Sequence, residues 1–329
     1  MAQVPRKRLG FFTRLLDRGA ADERYRLAEE QIAQAEALGF DAAWIAQHHF
    51  HPDEGGLPAP TVFLAHVAAR TRTIRLGTGV ITLPMENAIR VAEDTAVLDL
   101  LAKGRLEVGF GTGGTRESFA AFGIDSARRG EVYGANLKGV RDAWAGRPLA
   151  AANTLYPSAP GLRQRTWLAT FSSLGAHLAG EGGDGLMLSR TQPRSAGAPE
   201  ATLWDIQNPL IDAYLAALPP GRVAEAGQRI EASSVDDLIR TLDCHVGTPD
   251  DVITSLQADT ALARATDIVF QVHSIDPPHS AILRSLKLTA EYVAPGLGWS
   301  RRPADAGPAP GPGAGFGALR PIPAENASR

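Results

Sequence analysis

The chain has 329 residues, 44% of them hydrophobic and 21% charged, enough apolar side chain to bury a large core. A formal net charge of −3 gives no electrostatic footprint for nucleic acid or an anionic membrane surface. Its single cysteine, Cys244, has no partner for an internal disulfide and no companions at metal-ligand spacing, which excludes a disulfide scaffold and points away from a metal site.

The opening MAQVPRKRLGFF carries basic groups but too short an apolar run for a secretory signal, and no stretch reaches membrane-spanning length, so a cytoplasmic protein is expected. RLGFF reads as the first strand. Tyr25, Ala28, Ile32, Ala35 and Leu38 then recur at three- and four-residue steps, one apolar helix face, with Gly39 where a left-handed cap belongs. FDAAWIAQHH is the second strand, PTVFLAHVAART a helix and IRLGTGVITLP the third strand. Ile89, Ala92, Ala96 and Leu100 mark a helix ending at KGR, and LEVGFG is the fourth strand. A helix from about Glu131 to Trp144 follows, then TWLATF as the fifth strand, a helix through LGAHLAGE, and DGLMLS as the sixth. RVAEAGQRIEA is the expected seventh strand, GTPDDVITSLQ opens a helix, and TDIVFQVH is the eighth strand before a helix ending near Val293.

Strands alternating with helices build a parallel sheet with helices outside. Eight such units predict an α/β fold, a closed (β/α)8 TIM barrel over residues 1–298. SRTQPRSAGAPEATLW, after the sixth strand, is a long polar insertion loop, either a lid over the catalytic face or a passive surface loop. Residues 299–329, rich in Pro, Gly and Ala, are expected to form a disordered tail.

WIAQHHF places two histidines where the second strand finishes. On a strand, Trp44, Ala46 and His48 share one side while Ile45, Gln47 and His49 share the other, so only one ring looks into the barrel mouth. His48 falls at the C-terminal end, where barrel enzymes keep catalytic groups, and an imidazole there suits general acid–base chemistry. The competing reading is that both rings are satisfied by local hydrogen bonds. His51 and His66 have no ligand partners at a recognisable spacing, so no metal is expected. GFGTGG, with Gly109, Gly111 and Gly114 and with Glu131 about twenty residues on, fits a dinucleotide-binding fingerprint. Against it, the motif follows a fourth strand, and TRESFAAFG carries a glycine where a binding helix should run. The other reading is that these glycines let backbone approach a flat or phosphorylated ligand.

Taken together and in order, WIAQHHF, LGTGVITLP, RVAEDTAVLDLLAKGRLEVGFGTG and VGTPDDV resemble the bacterial luciferase-like, flavin-dependent monooxygenase family over residues 8 to about 297. The resemblance implies a (β/α)8 barrel that holds reduced FMN at its C-terminal mouth. It also implies that dioxygen and the flavin oxidise a small organic substrate, with reduced flavin supplied by a separate NAD(P)H-dependent reductase. By the same resemblance His48 is the active-site histidine that manages a proton near the flavin. Thr78 and Gly79 match the strand-three turn against the isoalloxazine ring, where the family often has a non-prolyl cis peptide. Thr112 and Gly113 follow strand four in the cofactor site. Thr170, Phe171, Ser172 and Ser173 match the phosphate-binding turn after strand five, where N–H groups at a helix start favour an anion. Plain helix capping by Ser172 or Ser173 is the competing reading of that turn.

Two departures from the family limit the expectation. Many relatives place an arginine for the phosphate where this chain has Thr112, and a hydroxyl cannot replace a guanidinium fork. Arg116, or Arg128 and Arg129 near a second arginine position of the family, are candidate replacements. Arg129 is carried forward, with a solvated surface charge as its alternative. Gln47 stands where luciferases proper have a glutamate, which argues against light emission and an aldehyde substrate. The alternatives are a deazaflavin-dependent oxidoreductase of the same superfamily and a flavin-holding protein without turnover. The helices at Pro60–Arg70 and Ala88–Leu101 have surplus apolar positions, so a homodimer through them is expected.

Overall fold

Residues 7–198, 201–219, 245, 247–272 and 277–301 are described in the computed structural model. Among the described residues seven parallel strands form one sheet: β1 (Arg8–Thr13), β2 (Ala42–Ile45), β3 (Arg75–Thr82), β4 (Leu106–Gly111), β5 (Thr166–Ala169), β6 (Gly185–Met187) and β7 (Asp267–Phe270). Their order is β6-β5-β4-β3-β2-β1-β7. The helices are α1 (Ala21–Leu38), α2 (Pro60–Arg70), α3 (Ala88–Leu101), α4 (Arg116–Ala121), α5 (Arg129–Trp144), α6 (Ser173–Gly182), α7 (Leu203–Ala217), α8 (Pro249–Gln257), α9 (Thr260–Arg264) and α10 (His279–Leu288).

Alternate residues on each strand face opposite ways and make two separate apolar layers. Leu9, Phe11, Ala43, Ile45, Leu76, Val108, Phe110, Leu168 and Leu186 belong to the main core between sheet and helices. Ala42, Trp44 and Trp167, with Phe12 and Met187 against them, form a second cluster on the other face. Each indole lies beside glycine in register: Trp44 beside Gly77, and Trp167 between Gly109 and Gly185. A Cβ on Gly77 or on Gly185 would overlap those rings, so the missing side chains make the room. The indoles meet edge to face at 5.5 Å between centroids. Their strands are three inter-strand steps apart, about 14 Å along a flat sheet at roughly 4.8 Å per step. Side chains of a flat sheet stand parallel and could not close that gap. The sheet is therefore curled, with the indoles on its concave side.

Beneath the indoles, toward the strand N-termini, lies a buried polar layer. Arg75 pairs with Glu107, Trp167 Nε1 donates to Glu107 Oε2 at 2.8 Å, and Arg8 pairs with Asp267 beside the Trp167 ring.

The expected order of strands and helices holds for β1 to β6 and for β7, which is the predicted eighth strand. The predicted seventh strand, RVAEAGQRIEA, lies outside the described residues, as do Cys244 and residues 302–329. Gly39 caps α1 at φ 88°, as its position predicts, and its N–H donates to Glu36 O. Several expectations are corrected. β2 stops at Ile45: Ala46 N still donates to Thr13 O, but Gln47 and His48 bond to β3 and to the following loop instead of extending a ladder. Of the four residues that mark α3, Ala92 and Ala96 are buried, whereas Ile89 and Leu100 are exposed, and Val91, Thr95 and Leu98 complete the buried face. Gly109 and Gly111 lie within β4 on its concave side, and only a six-residue helix follows. Their role is interior packing, which removes the dinucleotide reading. α7, capped by a Thr202–Asp205 capping box, was not foreseen. Trp299 is buried and its Nε1 donates to Asp41 Oδ2 at 3.0 Å, so the packed unit runs past residue 298. Among the described residues, no helix is long and apolar enough to cross a membrane.

Candidate functional site

Because all seven strands are parallel, their C-terminal ends share one rim, and the segments leaving them meet around the concave face. His48 follows β2 there. Its backbone N–H donates to Leu57 O at 2.9 Å, its ring packs on Gly55, and its side chain is 26% exposed. Nδ1 stands 3.7 Å from Glu54 Oε2. Burial, reinforced by the Arg14 guanidinium and opposed by Glu54, brings the imidazole pKa down from 6.5 to about 4. The ring is therefore neutral at pH 7.

Glu54 also accepts a hydrogen bond from Thr115 Oγ1 at 2.9 Å, which ties the loop after β2 to the segment after β4. Arg14, just beyond β1, donates to Glu54 O. Glu54, Arg14 and Thr115 were missed in the sequence reading. The only signal was the acidic pair Asp53–Glu54 a few residues beyond the histidines, and nothing local joins it to residue 115.

Gln47 is buried and fixes this loop to β3. Its Oε1 accepts from Thr82 N at 2.6 Å, and its Nε2 donates to Glu86 Oε1 at 2.7 Å and to Pro58 O at 3.1 Å. Burial raises the pKa of Glu86, and the bond from Gln47 opposes that shift. A glutamate at position 47 would set two carboxylates against each other. Gln47→Glu is expected to lower stability by roughly 1–3 kcal/mol at pH 8, the cost of losing a donor to a buried charge. The paired carboxyls would titrate above their unfolded values, so the deficit should shrink as pH falls toward 4.5. Urea denaturation at pH 5 and pH 8 measures it; an equal deficit at both would contradict the charge argument.

On β3 the Thr78 side chain is fully buried, with Oγ1 donating to Gly109 O at 3.0 Å and accepting from Gly109 N at 2.9 Å. Only backbone at Thr78 is left to face a ligand. Gly79 faces the concave side near Phe12 and Trp44, and the Gly79–Val80 peptide is cis. After β4, Gly113 has φ 73° and sits over Thr82 and Phe119, with the half-buried Thr112 before it.

The turn after β5 gathers hydroxyls at the start of α6. Ser172 Oγ accepts from Gly175 N at 3.1 Å as the N-cap of the ten-residue α6, and Thr170 Oγ1 accepts from Ser172 N at 3.1 Å. A Cβ on Gly175 would overlap the Thr170 hydroxyl, so glycine there lets two hydroxyls close on the helix start. Ser173 opens the helix, where N–H groups lack intrahelical acceptors, and Phe171 is exposed beside it. The capping reading of Ser172 is thus correct.

Thr170, Ser172 and Ser173 therefore share one turn, and the candidate arginines have other surroundings. Arg129 is exposed at the start of α5 and donates to Ser126 O at 2.9 Å. Arg128 pairs with Glu131 on the surface, and Arg116 is exposed at the start of α4.

Comparison with known proteins bears on this arrangement. A sequence profile described as luciferase-like monooxygenase matches residues 9–205. Limonene 1,2-monooxygenase of Rhodococcus erythropolis is 24% identical over 319 residues, covering 81% of this chain and 80% of its own. Matches to the first curated relatives are more local, spanning about a quarter to a half of those proteins' lengths. In fold, the oxygenating constituent of 3,6-diketocamphane monooxygenase from Pseudomonas putida, in complex with FMN, superposes with a TM-score of 0.67 at 16% identity, covering 88% of this chain and 98% of that one. A secondary alcohol dehydrogenase dependent on coenzyme F420, in complex with an F420–acetone adduct, superposes with a TM-score of 0.66 at 15% identity, covering 89% and 99%.

Proposed function

The chain belongs to the luciferase-like monooxygenase family, and on that premise we propose that it is an FMN-dependent monooxygenase oxidising a small organic substrate. It would take reduced FMN from a separate NAD(P)H-dependent flavin reductase, and dioxygen from solution. One observation carries the reading: a neutral imidazole at His48 and a hydroxyl-lined helix start at Thr170–Ser173 follow the C-terminal ends of β2 and β5 on the same rim, three strand steps apart along the curled sheet. Between them on the concave face Gly79 lies beside Phe12 and Trp44, and Gly111 beside Val80 and Ala169.

Each group has a defined task. The first-turn N–H groups of α6 and the hydroxyls of Thr170 and Ser172 hold the phosphate. Backbone at Thr78, Gly79, Thr112 and Gly113 borders the ring. His48 accepts a proton beside it, and Glu54 Oε2 stands 3.7 Å from its Nδ1. Reduced FMN, when bound, supplies the electrons that activate dioxygen. Arg129 is a further phosphate contact only if its side chain leaves Ser126 O.

Anaerobic titration with reduced FMN and with reduced deazaflavin cofactor tests the assignment. Saturable binding of reduced FMN is expected, followed on admission of oxygen by flavin reoxidation slower than that of free flavin. Deazaflavin binding without FMN binding would replace the reading with the deazaflavin-dependent one, which the second structural neighbour favours. Reoxidation no slower than free flavin would favour a flavin-holding protein without turnover. Ser172→Ala is expected to cost about 1 kcal/mol of stability through the lost cap. It should also weaken reduced FMN by about tenfold, a loss of roughly 1.4 kcal/mol, while leaving riboflavin, which lacks the phosphate, unaffected. Equal loss for both flavins would place the phosphate elsewhere.

Assembly as a homodimer belongs to the same proposal. Val62 on α2 and Val97, Leu100 and Leu101 on α3 are exposed apolar side chains on neighbouring helices. Light scattering at micromolar concentration should give twice the chain mass; a monomer contradicts it.

A further inference from the structure

Three unfavourable features coincide on the loop beside His48. Phe50 is 65% exposed, and its backbone lies in the left-handed region at φ 64°, a conformation that a bulky side chain rarely adopts. Phe122, which closes α4, is 41% exposed and stands 6.0 Å from Phe50 between ring centroids. His49 lies against both, edge-on to Phe122 at 4.9 Å and 5.8 Å from Phe50, and its Nε2 is buried without a hydrogen-bond partner among the described residues. The three rings come from two separate segments, and the Glu54–Thr115 hydrogen bond holds those segments together. Exposed phenyls, an unfavourable backbone conformation and an orphaned nitrogen each oppose stability. Their clustering next to the candidate proton acceptor marks a place built for a ligand.

We infer that Phe50, Phe122 and His49 form the subsite for the organic substrate, receiving a flat apolar ring whose hydroxyl or carbonyl oxygen hydrogen-bonds His49 Nε2. The word substrate rests on the oxygenase reading above; the ring-binding subsite does not. Phenyl rings about 6 Å apart present faces and edges at the separations aromatic pairs prefer, so a ring gains more there than an extended chain. A neutral imidazole has one nitrogen that donates and one that accepts, and either suits a hydroxyl, while an acceptor oxygen suits the donor form. The subsite is carried in part by the two residues that directly follow His48 on the same loop.

The test uses 2-naphthol as a probe, with its fluorescence followed on titration into the full chain and into Phe50→Gly, Phe122→Leu and His49→Phe. Saturable binding by the parent is expected, weakened at least fivefold in each variant. Phe50→Gly should keep a melting temperature no lower than the parent's, because glycine accepts the left-handed conformation without strain. Reduced-FMN binding is measured on the same samples and should stay parental in all three. No saturable binding by the parent, or parental affinity in the Phe50 and Phe122 variants, overturns the inference. So does a change of mass by light scattering in those variants, which would assign the rings to a protein contact. If the parent binds 2-naphthol with the expected variant pattern but does not bind reduced FMN, the oxygenase reading fails and the ring-binding subsite stands.

Discussion

Replacing His48 with glutamine is expected to lower turnover by about 10²–10⁴-fold, the usual contribution of a positioned proton-transfer group, with reduced-FMN affinity changed little. The amide can hydrogen-bond but cannot take up a proton. Two pH signatures accompany the loss. Folded His48 has its pKa brought down to about 4, mainly by burial, and so is neutral across the working range. If it acts as a proton acceptor, parental activity holds down to pH 5 and falls as pH approaches 4; a role as proton donor would reverse that limb. The second signature is in stability. As pH falls through 6.5 the unfolded chain protonates this histidine while the folded chain does not, so stability present above pH 6.5 is lost between 6.5 and 4. His48→Gln should lose less than the parent over that interval, read as urea midpoints at pH 7 and pH 5. Parallel losses, or parental turnover, would reject the assigned environment and role.

Trp167→Ala is expected to destabilise the fold by about 3–5 kcal/mol, the range for truncating a large aromatic in a packed core. The indole fills the concave face against Trp44 and is flanked in register by Gly109 and Gly185, neither of which can fill the space it vacates. Its Nε1 also donates to Glu107, the buried partner of Arg75. Trp167→Phe separates the two contributions. The ring is largely retained but the donor is lost, so a cost of roughly 1–3 kcal/mol is expected, the penalty for a buried charge deprived of one hydrogen bond. Urea denaturation measures both; a phenylalanine variant as stable as the parent would show that the Glu107 bond contributes little, and a mild alanine variant would show that the interior can collapse.

These residues also show what was legible in the sequence. Hydrophobic periodicity placed the strands from β1 to β6, β7, and most of the helices, because a layer of Leu, Ile, Val and Phe between sheet and helices writes itself at steps of two and of three to four. The concave face wrote a weaker pattern. Its glycines imitate a phosphate-binding motif at Gly109 and Gly111, and only the register of Gly109 with Trp167 and the packing of Val80 on Gly111 reveal them as spacers. Ile89 and Leu100 fit the helical period yet face outward, since periodicity finds an apolar stripe without saying what covers it. His48 and the Ser172 turn were legible as candidates because each lies at the end of an apolar run and, for Ser172, before a helix. Glu54 and Thr115 are 61 residues apart and meet only across the rim, as do His49 and Phe122; contacts made between loops leave no local signature.

The central claim is that His48 and the Thr170–Ser173 turn serve one coenzyme, and a crystal structure of the complex with FMN tests it most directly. The phosphate is expected within about 3 Å of the Ser172 and Ser173 donors, with the isoalloxazine lying across Gly79 and its reactive edge toward His48. A flavin bound with its phosphate away from that turn, or with its ring turned from the imidazole, would contradict it.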